Sequence, residues 1–203
     1  MKIIHKHDAP EFSLPLPLHA SIHLADAVLK DGEEFDLFVG ITKKYADQLK
    51  KLSLDERDAD LQNFTGDKKR FGEGSYEAWY KKNRTPFILI DKRTDELAAI
   101  IWFGPKPLGA KSRKFGEEKE YENQNKYHTV SFRTYPVFRG RGIMKNFSSF
   151  VMEIYKKHFP NSIFWTGTDN RNNIFIKFIS ALGFWPDQKH SALAENWLVM
   201  VKE

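Results

Sequence analysis

The sequence predicts an α/β fold, and three observations predict it. From Tyr127 to the end, the apolar pattern switches between the strand and helix periods, reading strand, helix, strand, helix, strand. Before Pro105, two pairs of apolar strands each flank a polar or glycine-containing turn. The chain has 203 residues, 41% of them hydrophobic and 14% aromatic, which is enough for one domain with its own core.

The elements follow in order. Pro10, Pro15 and Pro17 make residues 1–20 an extended N-terminal arm. Ile22 to Ile41 reads as two strands around Asp31-Gly32, a strong hairpin dipeptide. Thr42 to Leu52 has helical spacing. Ser53-Leu54-Asp55-Glu56 is a capping-box pattern that predicts a second helix starting there and running toward Phe64. Ser75 caps a third, through Trp79 to Lys82. Phe87–Ile90 and Leu97–Phe103 are strands about the turn Arg93-Thr94-Asp95-Glu96. Residues 104–126, rich in Lys, Glu, Gly and Asn, read as a long surface loop. His128–Thr134 is a strand. Ile143, Phe147, Phe150, Val151, Ile154 and Tyr155 then mark one face of a helix that Pro160 ends. Ser162–Thr168 is a strand, Ile174 to Leu182 a helix stopped by Gly183, and Trp197–Val201 the last strand.

Composition excludes several functions. The chain contains no Cys, so disulfides, thiolate metal sites and a cysteine nucleophile are ruled out. His5-Lys6-His7 is a short His-x-His without further ligands, and no metal is expected. The first residues lack an apolar stretch with a cleavage site, and no apolar run is long enough to span a bilayer. A cytoplasmic protein with no membrane partner is expected. The net charge of +5 permits an anionic ligand, nucleic acid included, but the lysines are scattered among acids and do not indicate nucleic acid.

The chemistry concentrates in Thr134-Tyr135-Pro136-Val137-Phe138-Arg139-Gly140-Arg141-Gly142-Ile143-Met144-Lys145. A strand ends, two glycines turn the chain, and an amphipathic helix begins. The first amides of a helix have no internal partners and carry the positive end of the helix dipole, so such a turn suits a phosphate. Arg139, Arg141 and Lys145 add positive charge to it. A plain strand-to-helix turn with solvated arginines is the competing reading. Neither a P-loop nor a dinucleotide fingerprint is present.

Arg139-x-x-Gly142, preceded by x-Pro-x-Phe, resembles the pyrophosphate-binding signature Q/R-x-x-G-x-G/A of the GNAT acyltransferase superfamily. Asn172 through Leu182-Gly183-Phe184 is similar to that superfamily's later motif, and the order of elements over residues 85–203 agrees. The resemblance implies a mixed, mostly antiparallel central sheet flanked by helices. It also implies that residues 127–203 form the acyl-CoA-binding half of a single domain, 1–203. The bound co-substrate would be acetyl-CoA. Its pantetheine arm would pair with the backbone of Phe132, Arg133 and Thr134. Its pyrophosphate would rest on the amides of Gly140, Arg141, Gly142, Ile143, Met144 and Lys145, and Asn172 would hydrogen-bond the pantetheine.

Three positions depart from the family pattern. Met144 stands where the family has Gly or Ala. Ile179 replaces the tyrosine that protonates the leaving thiolate in many members. Gly167 replaces the glutamate base of one branch. His128, on the motif strand, lies at the offset where the histone-modifying branch carries its general base, and its ordinary pKa suits that work. A strand histidine with a backbone partner is the competing reading. Asp169 follows the strand that borders the substrate cleft and is a second candidate base, or simply a helix-start capping acid. Tyr135 and Tyr155 are possible acids. Trp102, Trp165, Trp185 and Trp197 are candidates for an acceptor pocket or for core.

The expected activity is direct acetyl transfer from acetyl-CoA to a primary amine, on a small molecule or a protein. A non-catalytic CoA-binding module, or a toxin-like acetyltransferase acting on aminoacyl-tRNA, are the alternatives.

Overall fold

The computed structural model describes residues 1–6, 11–108 and 126–203. The elements are β1 (Lys2–His5), β2 (Ser21–Val28), β3 (Glu34–Gly40), α1 (Lys43–Ser53), α2 (Ala59–Phe64), α3 (Tyr76–Tyr80), β4 (Thr85–Asp91) and β5 (Glu96–Pro105). They continue with β6 (Tyr127–Thr134), α4 (Ile143–His158), β7 (Ile163–Asp169), α5 (Asn173–Ala181), β8 (Trp185–Pro186) and β9 (Trp197–Lys202). Among the described residues, the strands form one mixed sheet of nine in the order β1-β2-β3-β4-β5-β6-β7-β9-β8. The ladders β1–β2, β2–β3, β3–β4, β7–β9 and β8–β9 are antiparallel, and β6–β7 is parallel. The expected mixed, mostly antiparallel sheet flanked by helices is thus present. No helix among the described residues is long and apolar enough to cross a membrane.

The chain divides into two compact units, residues 1–102 with 132–158, and residues 103–131 with 159–203. In the first unit, the β2–β3 hairpin forms because alternate residues Ala25, Ala27, Phe35, Leu37 and Val39 are wholly buried. Gly32 at φ 89° makes its turn. α1 buries Ala46 and Leu49 at helical spacing. α4 is longer and buries Ile143, Phe147, Phe150, Val151 and Tyr155, with Lys156, Lys157 and His158 in its last turn complementing the dipole. In the second unit, Trp165, Val199 and Val201 of β7 and β9 form the centre of a small core.

Several sequence expectations are corrected. Lys2–His5, read within an extended arm, pairs with β2 as an edge strand. Residues 7–10 of that arm, His7 included, lie outside the described residues, while Leu16 is buried and its carbonyl accepts from Tyr80 Oη at 2.6 Å. Ser53 does not start the second helix. It is buried in the last turn of α1, and Asp58 caps α2 instead, accepting from Leu61 N at 3.1 Å. Ser75 does cap α3, accepting from Ala78 N. A π-helical turn over Lys68–Gly72 has no period that the sequence displays. Gly104 and Pro105 extend β5, and most of the loop expected over 104–126 lies outside the described residues. Ile174 carries the helical spacing of α5 but is 86% exposed.

Candidate active site

The glycine turn belongs to the first unit, and its shape follows from its sequence. β6 ends at Thr134, and Tyr135 N donates to Ala98 O at 3.1 Å. Pro136–Phe138 then forms a single 3-10 turn that buries Phe138 edge-on against Phe35, ring centroids 6.0 Å apart. Gly140 and Gly142 both adopt left-handed backbone, φ 74° and 72°, and a Cβ built on either meets nothing within 4 Å. Open space over two such glycines, directly ahead of the 16 residues of α4, is what a backbone cradle for an anion needs. Met144 is half-buried and Lys145 exposed.

The two arginines of the turn are not loose charges for a phosphate, as the sequence suggested. Arg139 Nη2 donates to both oxygens of Asp58, at 2.8 and 2.6 Å, and its Nε donates to Thr134 O at 2.9 Å. It therefore ties the strand end to the cap of α2 across 81 residues of sequence. Arg141 bridges Asp31, at 2.8 Å, and Glu33 at the β2–β3 turn. The Arg141 hydrogen bond holds the Asp31 carboxyl below its usual range. Both side chains thus tie the loop to carboxylates of the same unit. Asp31, Glu33, Asp58 and Asp60 are the residues sequence reasoning missed, because nothing local links an acid to an arginine so far along the chain.

Along β6, Arg133 Nε donates to Asp67 at 2.6 Å and its Nη1 to Phe132 O at 2.7 Å. The Phe132 and Thr134 carbonyls thus already accept from guanidinium groups. The first unit brings Phe132, Arg133, Thr134 and residues 139–145 together.

His128, Asp169 and Asn172 belong to the second unit. His128 is buried on β6 opposite Phe164, with its ring 5.1 Å from that of Phe159. Asp169 ends β7 and accepts from Arg171 Nε at 2.8 Å, Nη2 at 2.6 Å and the Arg171 amide at 2.8 Å. The guanidinium bond leads the causes that hold its carboxyl down at about 2. Asn172 caps α5 by accepting from Phe175 N at 3.2 Å, which leaves its amide group for another partner. The cap of that helix is therefore Asn172 and not Asp169.

One departure from the motif pattern has a structural reason, at Gly167. A Cβ at Gly167 would lie 2.0 Å from the indole of Trp197, so Trp197 occupies the place a longer side chain would need. Ile179 is wholly buried. Burial raises the phenols of Tyr135 and Tyr155 above their ordinary values, the wrong direction for an acid.

One group of potential metal ligands occurs among the described residues: His23, Asp26 and Asp36, with ligand atoms within 4.8 Å of one another. Lys92 already pairs with both of its carboxylates, at 2.8 Å from Asp26 and 3.5 Å from Asp36.

No family model matches the chain, and no curated protein sequence matches it. Solved structures do. The GNAT domain of S. lividans PAT superposes with a TM-score of 0.60 at 15% identity, over 87% of this chain and 94% of that one. Ribosomal-protein-S5-alanine acetyltransferase from Vibrio fischeri gives 0.52 at 14%, over 82% and 92%. The putative acetyltransferase yncA from Salmonella typhimurium, solved with its cofactor acetyl-CoA, gives 0.52 at 11%, over 82% and 91%. On this evidence of topology and superposition, the chain has the fold of the GNAT acetyltransferase domains.

Proposed function

We propose that the protein transfers an acetyl group from acetyl-CoA to a primary amine. The observation that carries this reading is the pair of left-handed glycines, 140 and 142, with open space above them at the start of α4. The yncA structure, of the same fold, holds acetyl-CoA, which supports that ligand here. The amides of residues 140–145 would receive the pyrophosphate, the strand residues 132–134 the pantetheine arm, and Asn172 Nδ2 a pantetheine oxygen.

The thioester supplies an activated acyl group, so the protein's own task is to align an amine with it and take a proton from that amine. His128 is the base on this reading. Asp169 is a poor one, because a carboxyl held near 2 gives a conjugate acid too strong to keep a proton from an amine. With Ile179 buried and both phenols raised, solvent water protonates the thiolate on this reading. His128→Ala should lower the rate by about 10² to 10⁴ and flatten the acidic limb of the pH–rate profile, with acetyl-CoA affinity unchanged. Near-wild-type turnover in that variant removes His128 as the base.

A second reading, a CoA-binding module without catalysis, is favoured by one observation: Trp197 fills the place of the glutamate used by one branch. Acetyl-CoA binding without amine-dependent thiol release would select it.

A further inference from the structure

The aromatic core of the first unit holds buried hydrogen-bond donors beside a surplus of positive charge. Trp79 meets Trp102 edge-on at 5.4 Å between ring centroids, Phe71 meets Trp79 at 4.9 Å, and Tyr76 lies 5.4 Å from Trp79. Tyr135 belongs to the same cluster. The Arg70 guanidinium stands 5.2 Å from the centre of the Trp102 ring. Tyr76 Oη, Trp79 Nε1, Trp102 Nε1 and Tyr135 Oη are all buried without a hydrogen-bond partner among the described residues. These four side chains belong to residues only 2–6% exposed.

Buried polar atoms are paired in the great majority of folded proteins, so four unpaired ones in one cluster require a reason. An indole N–H can only donate, which makes the matching group an acceptor. The neighbouring guanidinium groups cannot accept either, and the nearby Asp67 carboxylate already accepts from two of them. Arg70 and Arg133 both bind the wholly buried Asp67, so one carboxylate serves two guanidinium groups. Unmatched donors beside surplus positive charge select an oxyanion. A planar guanidinium pairs best with a planar carboxylate.

We propose that Arg70, Trp79, Trp102 and Tyr135 form a carboxylate-binding subsite, and that the amine acceptor is an amino acid or short peptide held there by its carboxylate. The acceptor role rests on the acetyl-transfer reading, whereas carboxylate binding does not. Arg133 connects the subsite to β6, the strand that carries the Phe132–Thr134 segment.

The test uses the full chain, a panel of amino acids and dipeptides, and the C-terminal amide of each. Tryptophan fluorescence and melting temperature report binding, and thiol release reports turnover. At least one acid should bind, with its amide roughly 10- to 100-fold weaker, the range for a hydrogen bond to a charged group. Trp102→Phe and Trp79→Phe keep an aromatic ring and remove a donor. Each should weaken the acid to a similar degree while leaving the acetyl-CoA-induced melting shift intact, which also shows that the variants fold. If amides bind and turn over as well as acids, or both Trp variants bind the acid normally, the subsite is overturned while acetyl transfer stands. Donor-dependent binding of acids with no thiol release under any condition keeps the subsite and removes acetyl transfer. No response to any acid overturns the subsite.

Discussion

Gly142→Ala separates backbone strain from ligand binding. At φ 72°, an L-residue costs about 1–2 kcal/mol relative to glycine. A Cβ there meets no atom within 4 Å, so no clash adds to that cost. In a chain of this size each kcal/mol moves Tm by about 2–4 °C, giving an expected fall of about 2–8 °C. The same methyl would stand in the space where the phosphate would approach the amides, so acetyl-CoA affinity should fall by about tenfold or more through loss of one or more charge-assisted hydrogen bonds. Gly183→Ala is the internal control: φ is 87° and its Cβ would make only ordinary contact with the end of the Lys202 side chain, at 3.4 Å, just past the C-terminal end of α5. It should melt lower by a similar amount and bind acetyl-CoA normally. Differential scanning fluorimetry gives the first quantity and calorimetric titration the second. Wild-type affinity in Gly142→Ala, or equal affinity loss in Gly183→Ala, refutes the assignment of the turn as a phosphate cradle.

Other outcomes follow from the same geometry. Gly167→Ala should destabilise by about 1–3 kcal/mol through overlap with Trp197, and Trp197→Leu in the same chain should recover part of it in chemical denaturation. Asp58→Ala removes both the α2 cap and the Arg139 clamp, costing about 2–4 kcal/mol, while Asp58→Asn keeps the cap and costs less. Asp55 and Asp169 are each held at about 2 by an arginine hydrogen bond, below their ordinary value. Their contribution to stability is complete above about pH 4 and lost as pH falls toward 2. A Tm series over that range should show the fall, and Asp169→Asn should make it shallower.

Local signals were legible wherever one face of an element is buried. The β2–β3 hairpin, α1, α4 and the β6–turn–α4 passage follow from period and turn chemistry. Strands with little of their own to bury were not legible. β1 has only four residues and is held by pairing with β2, and β8 is a Trp-Pro pair against β9. Ser53 misled because a capping-box pattern is local, whereas its burial in α1 is a tertiary fact. At the candidate site, the two glycines could be read, since left-handed backbone selects glycine. The roles of Arg139 and Arg141 could not, because their carboxylate partners are fixed by the fold rather than by spacing. The sequence offered Trp102 as a candidate for an acceptor pocket and Tyr135 as a possible acid, but the unpaired donors of Trp79, Trp102 and Tyr135 were silent, because no local pattern shows which buried donors find a partner.

The central claim is tested most directly by measuring thiol release from acetyl-CoA in the presence and absence of primary amines, with Gly142→Val as the blank. Acetyl transfer predicts release that depends on both amine and protein, saturates with acetyl-CoA, and disappears in Gly142→Val. Release no faster than uncatalysed hydrolysis across amino acids, peptides, polyamines and protein N-termini, from a protein that binds acetyl-CoA, would contradict it.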